Sequence, residues 1–204
     1  DVPQRLTVGT SFQVTATLQG GYSPAGTITF ELYRQPTAGC TKPVAVDVVP
    51  VTGNGTFGSD PIVAQQPGIY SFGTGYSGDA ANQGAADPCD PSGPAVQVYR
   101  RTPQVKPRAH LKNGNQISIR AHLSGAASPS GAINFRLYRP GDKQCKRKPA
   151  FSGGVSVKSN GSYLLAQYFA TKPGVYRLSV GYSGDPRNRQ YKPTCRGAQQ
   201  IRIG

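Results

Sequence analysis

Tryptophan and methionine are absent from these 204 residues, glutamate occurs once and histidine twice. Each scarcity removes a class of function. Glu31 is the only glutamate, and Arg136 stands at its counterpart in the second half, so paired-carboxylate glycosidase chemistry has no duplicated candidate. His110 and His122 both fall in the second half, and a Ser/His/Asp site needs a base held by a third group. No Cys-x-x-Cys spacing and no phosphate-loop motif occur, which argues against a zinc site and a nucleotide site. No run of 18 apolar residues is present, so no helical membrane span is expected. The reading is of a chain that is not an enzyme and carries no cofactor. With no Met, at position 1 or elsewhere, and no signal peptide, the expectation is a processed mature segment or a fragment of a longer protein.

One stretch is present twice. Pro67-Gly68-Ile69-Tyr70-Ser71-Phe72-Gly73-Thr74-Gly75-Tyr76-Ser77-Gly78-Asp79 recurs as Pro173-Gly174-Val175-Tyr176-Arg177-Leu178-Ser179-Val180-Gly181-Tyr182-Ser183-Gly184-Asp185. Apolar residues at every second position predict a strand with one buried face, carrying Tyr70, Phe72 and Tyr76 in one copy and Tyr176, Leu178, Val180 and Tyr182 in the other. Gly26 and Gly131 are 105 residues apart, as are Cys40 and Cys145; Asn54-Gly55 and Asn160-Gly161 are 106 apart, as are Cys89 and Cys195. A period of that size is one domain duplicated, not a solenoid. The repeat selects Cys40–Cys89 and Cys145–Cys195 from the three possible pairings. Each bridge would contribute about 4 kcal/mol on the chain-entropy model, and both imply an oxidising, extracellular setting.

Short alternating segments, Asn-Gly and Pro-Gly turns, and no helical period predict about seven strands per copy in an antiparallel β-sandwich. Tyr70 and Tyr176, each just after a Pro-Gly corner, fit the tyrosine corner of such sandwiches. The expected division is a first domain over 1–101, a proline-stiffened linker over 102–107 and a second domain over 108–204, together forming an elongated rod.

Leu6-Thr7-Val8-Gly9-Thr10-Ser11, Gly20-Gly21-Tyr22-Ser23-Pro24, Gly26-Thr27-Ile28-Thr29-Phe30-Glu31-Leu32-Tyr33, Pro67-Gly68-Ile69-Tyr70 and Tyr76-Ser77-Gly78-Asp79 resemble the bacterial immunoglobulin-like repeats of actinobacterial surface and secreted proteins. The second copy keeps Gly131, Phe135, Leu137-Tyr138, Asn160-Gly161 and both long motifs, while Ala109 to Gln116 has drifted. The resemblance implies tandem immunoglobulin-like domains that serve as stalks, spacers, adhesion modules or filament subunits. Unlike antibody-type bridges, these cysteines lie in loops, so each bridge is expected to tie loops at one end of its sandwich.

Local motifs have plain structural readings. Asp79 and Asp185 offer one carboxylate per turn, far short of a Ca²⁺ shell, and are read as Asx turns. Asn54-Gly55-Thr56 and Asn160-Gly161-Ser162 fit the glycosylation sequon but also the tight hairpin, and the hairpin is preferred.

Charge is the unusual feature. Four basic against seven acidic residues leave residues 1–100 at −3, and nineteen against two leave residues 101–204 at +17, which together make the chain's +14. Lys143, Lys146, Arg147 and Lys148 surround Cys145, and Arg187, Arg189, Lys192 and Arg196 surround Cys195. A Cys145–Cys195 bridge would bring both groups to one basic tip. Only Tyr191 interleaves with them, so a nucleic-acid partner is not expected. Two readings remain. In one, copies assemble head to tail, with Asp60, Asp79, Asp87 or Asp90 facing the basic tip of a neighbour. In the other, the tip binds wall teichoic acid, an acidic polysaccharide or a host glycan. Strand addition through Val2 to Val8 is a further route to assembly.

Overall fold

The computed structural model describes residues 5–35 and 40–204. The chain divides into two compact units, Asp1–Tyr99 and Arg100–Gly204. The first contains β1 (Arg5–Thr7), β2 (Ser11–Phe12), β3 (Thr15–Leu18), β4 (Thr27–Gln35), β5 (Ala45–Pro50), β6 (Gly55–Gly58), β7 (Ile62–Val63), β8 (Gly68–Tyr76), β9 (Ala85–Asp87) and β10 (Ala95–Tyr99). The second contains β11 (Gln104–Pro107), β12 (His110–Lys112), β13 (Gln116–Ser124), β14 (Ala132–Tyr138), β15 (Phe151–Ser156), β16 (Gly161–Phe169), β17 (Gly174–Tyr182) and β18 (Gln199–Ile203).

Each unit is an immunoglobulin-like sandwich. In the first, one sheet runs β1-β10-β8-β4-β5, and β9 pairs with β8; the facing layer is β2 on β7 and β3 on β6. In the second, β15-β14-β17-β18 faces a sheet in which β13 carries β11 and β12 on one edge and β16 on the other. Alternation along β14 and β17 buries Ile133, Phe135, Leu137, Tyr176, Leu178, Val180 and Tyr182 against Ile117, Ile119, Ala121 and Leu123 of β13. The expected tyrosine corners are present: the Tyr70 hydroxyl donates to the Gln66 carbonyl at 2.9 Å and that of Tyr176 to Lys172 at 3.1 Å.

The strand count exceeds the expectation because single strands are split. β9 and β10 share one edge of β8, interrupted by the Cys89 loop. Likewise Tyr191 bridges Tyr182 before the Cys195 loop, and β18 resumes at Gln199.

One expectation about the ends of the domains is corrected. Residues 102–107 are not a free linker: Gln104–Pro107 pairs with Ser124–Ala121, and Val105 is 3% exposed. Pro103 and Pro107 flank or end this short edge strand, where a missing N–H costs little. The copies also start differently. Arg5–Thr7 runs parallel to Gln97–Tyr99, whereas His110–Lys112 runs antiparallel to Ser118–Gln116. Of the Val2 to Val8 segment, Val2, Pro3 and Gln4 lie outside the described residues.

The loop before β4 is locked to the turn after β8. A Cβ on Gly26 would lie 2.6 Å from the Gly78 carbonyl oxygen, and one on Gly131 would lie 2.6 Å from that of Gly184. Backbone on the far side leaves no room for relief. Gly131→Ala is therefore expected to destabilise the second unit by about 1–3 kcal/mol, read as a lower urea midpoint with an unchanged slope.

Candidate functional site

The twin turns after β8 and β17 are structural clamps. Asp79 Oδ2 accepts from Ala25 N–H at 2.7 Å, and Oδ1 accepts from Ala81 N–H at 2.8 Å and Asn82 N–H at 2.9 Å. Asn82 Nδ2 lies 2.8 and 2.9 Å from the two oxygens. Asn82 also grips Tyr22, accepting from its N–H at 2.8 Å and donating to its carbonyl at 3.1 Å. The second unit repeats the device. Asp185 accepts from the backbone N–H of Ser130, Arg187 and Asn188 and from the Tyr182 hydroxyl. Asn188, 1% exposed, takes the Ala127 N–H at 2.8 Å and donates to its carbonyl at 2.9 Å.

These contacts set the charges. The N–H groups of Ala25 and Ala81, then Asn82 and Tyr76, hold the Asp79 carboxyl well below its ordinary pKa. Burial opposes the charge of Asp185, but Tyr182, Asn188 and the backbone N–H groups outweigh it and lower that carboxyl too. Burial first, and the bond to Asp185 second, push the Tyr182 hydroxyl up to about 12. Nitrogen and hydroxyl donors thus fill the oxygens a cation would need. Among the described residues no three His, Cys, Asp or Glu side chains gather as a metal site.

The sequon asparagines are clamps as well, and the hairpins expected there are corrected. β5 pairs with β4 but β6 with β3, and β15 with β14 but β16 with β13, so each Asn-Gly turn carries the chain from one sheet to the other. Asn54 accepts from Gly21 N–H at 3.0 Å and donates to its carbonyl at 2.6 Å. Asn160 does the same to Ala126 at 3.0 and 2.8 Å. His122 Nδ1 lies 3.0 Å from Ser162 Oγ, yet the pair is exposed, opposite Lys106 in the sheet register, and lacks the orienting carboxylate of a triad.

Both disulfides form as expected, Cys40–Cys89 with Cα atoms 5.9 Å apart and Cys145–Cys195 with 5.6 Å. The second draws the β14–β15 loop to the interrupted edge of β17. Asp142, 6% exposed, organises that loop by accepting from Lys146 N–H at 3.1 Å and Arg147 N–H at 3.0 Å. Burial raises its pKa, but the N–H groups of Arg147, Lys146 and Gln144 and the Arg147 charge prevail and lower it. With its acid turned inward, the loop leaves Lys143, Lys146, Arg147 and Lys148 exposed. Cys195 Sγ sits 3.3 Å from the Lys143 carbonyl oxygen, and exposed Lys192 and Arg196 flank Cys195.

Six of the eight basic residues therefore belong to this bridged pair of loops. Arg187 and Arg189 lie in the turn after β17, where their backbones bond both ways with Arg101. The acidic residues divide similarly. Asp87 and Asp90 flank Cys89 and are exposed; Asp90 accepts from the Ser92 N–H at 2.8 Å and hydroxyl at 2.7 Å, which lower its pKa, the hydroxyl foremost. Asp60 sits instead between β6 and β7, its N–H bonded to Asp47 Oδ2 at 2.6 Å. Asp79 is consumed by its clamp and is not a free counter-charge.

Sequence reasoning missed Asn82 and Asn188, which follow the aspartate by three residues in both copies, and Asp142, whose place between Gly141 and Lys143 had no visible partner. The repeated Asp-x-x-Asn spacing was the available signal.

No protein-family model matches the chain, and no curated protein matches it. Solved structures similar to it include the chicken CNTN1 FN1-FN3 domains, at 14% identity and TM-score 0.34, with 100% of this chain and 63% of that chain covered. Another is the calcium binding domain CBD12 of CALX1.1, at 11% identity and TM-score 0.38, with 92% and 80% covered. The chain spans 63% of the length of the first of these. Nothing about binding passes from likenesses at this level to this chain.

The lowered pKa of Asp185 fixes a sign. A folded-state value below the ordinary 3.8 means its stabilisation is complete above that pH and is lost as pH falls through the folded value. Asp185→Asn should lower stability at pH 7 and flatten the acid limb of the curve below about pH 4. Unfolding midpoints from pH 7 down to 2 check both.

Proposed function

We propose that the chain is a non-enzymatic, extracellular structural subunit that joins head to tail, the acidic Cys89 loop of one copy meeting the basic disulfide loops of the next, to build a filament or surface layer. The observation that carries this is a shift of charge at equivalent places around the two bridges, two positions reversing from acidic to basic and one going from neutral to basic. Asp90 in the first unit becomes Arg196 in the second, Ala86 becomes Lys192, and Glu31, on the strand beside Gly73 and Cys89, becomes Arg136. The fold needs neither sign there, since both units form the same bridge and the same strand pairing. A contact between unlike surfaces is heterologous, and unless it closes into a ring it propagates. Two disulfides suit the oxidising space outside a cell. The resemblance to bacterial immunoglobulin-like repeats of actinobacterial surface proteins adds a family in which such subunits are at home.

A second reading has its own support. Asp142, the one acid beside the 143–148 loop, accepts from its backbone N–H groups and interacts with the Arg147 charge, which leaves four exposed basic side chains against a single acid. An acidic polysaccharide or teichoic acid would meet an open basic surface.

Negative-stain electron microscopy separates the two. Head-to-tail joining predicts chains at low salt that shorten in about 0.5 M salt, where screening falls to a few ångströms. Reversing Lys146, Arg147 and Lys148 to Glu should disperse the chains, and adding Asp87→Lys and Asp90→Lys to that variant should restore them. Single particles at both salts would sink the proposal and turn attention to polysaccharide binding.

A further inference from the structure

The duplication allows each strand edge to be compared with its counterpart. In the first unit the strand that pairs with β2 and β3 is broken into β7 and β6. Ser59 turns inward, its hydroxyl accepting from Val14 N–H at 3.1 Å. Asp60 donates its N–H to Asp47 at 2.6 Å, and Pro61 has none to offer. A charge and a proline in an edge strand are devices that block pairing with another chain. In the second unit, 106 residues on, Ala166 and Gln167 stand in their place. There β16 runs unbroken over nine residues, with one irregularity opposite Ile119 and Arg120.

Strand β16 pairs with β13 alone, and among the described residues its other edge has no strand partner. From Ser159 to Thr171 there is neither a charged residue nor a proline. Leu164 is 48% exposed and Phe169 60% exposed. A long, uncharged, partly apolar free edge is a template for strand addition.

The rest of the described structure points to what covers it. An acidic partner would be drawn to the lysine and arginine surfaces, not to thirteen neutral residues. Other edges of this chain match it poorly. Strand β5 ends in Pro50, and Asp47 Oδ1 already takes the Val48 N–H at 3.0 Å. Strand β11 ends in Pro107, β12 carries Lys112, β18 carries Arg202, and β15 has two central glycines. The edge that matches β16 in length and neutrality is β16 itself.

We infer that β16 is an interface, pairing antiparallel with β16 of a second copy about a two-fold axis. The contact is independent of the head-to-tail reading and has the opposite salt dependence. It brings together two units that each carry a large positive excess, so salt strengthens it by screening their repulsion, whereas salt weakens an acidic-to-basic contact.

Sedimentation velocity on the whole chain, at rising concentration in about 0.05 M and about 0.5 M salt, tests it, with hydrogen exchange to locate the contact. Two copies should associate at the higher salt, and exchange at 162–169 should slow with concentration. The variant Ala166→Asp/Gln167→Pro copies residues around which the first unit already folds; it should remain a single copy there while β17 keeps its slow exchange. Leu164→Lys leaves the backbone intact and should weaken association at least about tenfold, and it decides the matter if the double variant does not fold. A native chain that stays single at high salt overturns the inference. So does a folded double variant that associates equally, or protection that maps to another strand. Association at low salt alone overturns this contact and leaves the head-to-tail proposal standing.

Discussion

Four asparagine side chains hold the loops that close one end of each sandwich. A loop before a strand exposes backbone N–H and carbonyl groups that need partners once water is excluded. An asparagine carboxamide carries one acceptor and a donor in the spacing of a peptide group. It can therefore satisfy both groups of a single residue, as a neighbouring strand would. Asn54 and Asn82 do this for Gly21 and Tyr22, and Asn160 and Asn188 for Ala126 and Ala127. The aspartates beneath them bind the same loops through Ala25 and Ser130. Three separated segments thereby become one rigid corner, and the close glycine approach at Gly26 and Gly131 follows from it.

A corner fixed by side chains that both copies keep leaves other surfaces free to differ. The bridged loops have used that freedom for charge. Asp142 satisfies the backbone of its loop from within, so outward positions can all be basic without loss of local structure. In the first unit Asp90 plays a smaller version of that part, held by Ser92. The strand edges have used it for continuity, with Asp60 and Pro61 interrupting one copy and Ala166 and Gln167 leaving the other whole. In both cases the duplicated fold supplies its own control: whatever one unit lacks, the fold does not require.

Period-two alternation with Pro-Gly and Asn-Gly turns was enough to read the sandwich class, because half-buried strands write their burial directly into sequence. Tyr70 and Tyr176 were legible for the same reason, and the cysteine pairing followed from duplication. The linker was misread because Pro103 and Pro107 signal turns locally, while the burial of Val105 depends on β13, nearly twenty residues away. The charge contrast was visible, but its geometry was not. Sequence distance from Cys195 grouped Arg187 and Arg189 with the basic tip, and their backbone pairing with Arg101 in the turn after β17 had no signal in the sequence.

The sequence alone determined the duplication, the all-β class, the two bridges and the sign of each half, since these rest on periodicity, spacing and composition. The tertiary structure decided which charges are available. Asp79, Asp90, Asp142 and Asp185 look alike as letters, yet the first and last are saturated inside clamps, Asp142 is turned into its loop, and Asp90 stays exposed. That depends on which donors the folded backbone delivers to each carboxylate, and donors brought together from distant segments leave no local mark in the chain.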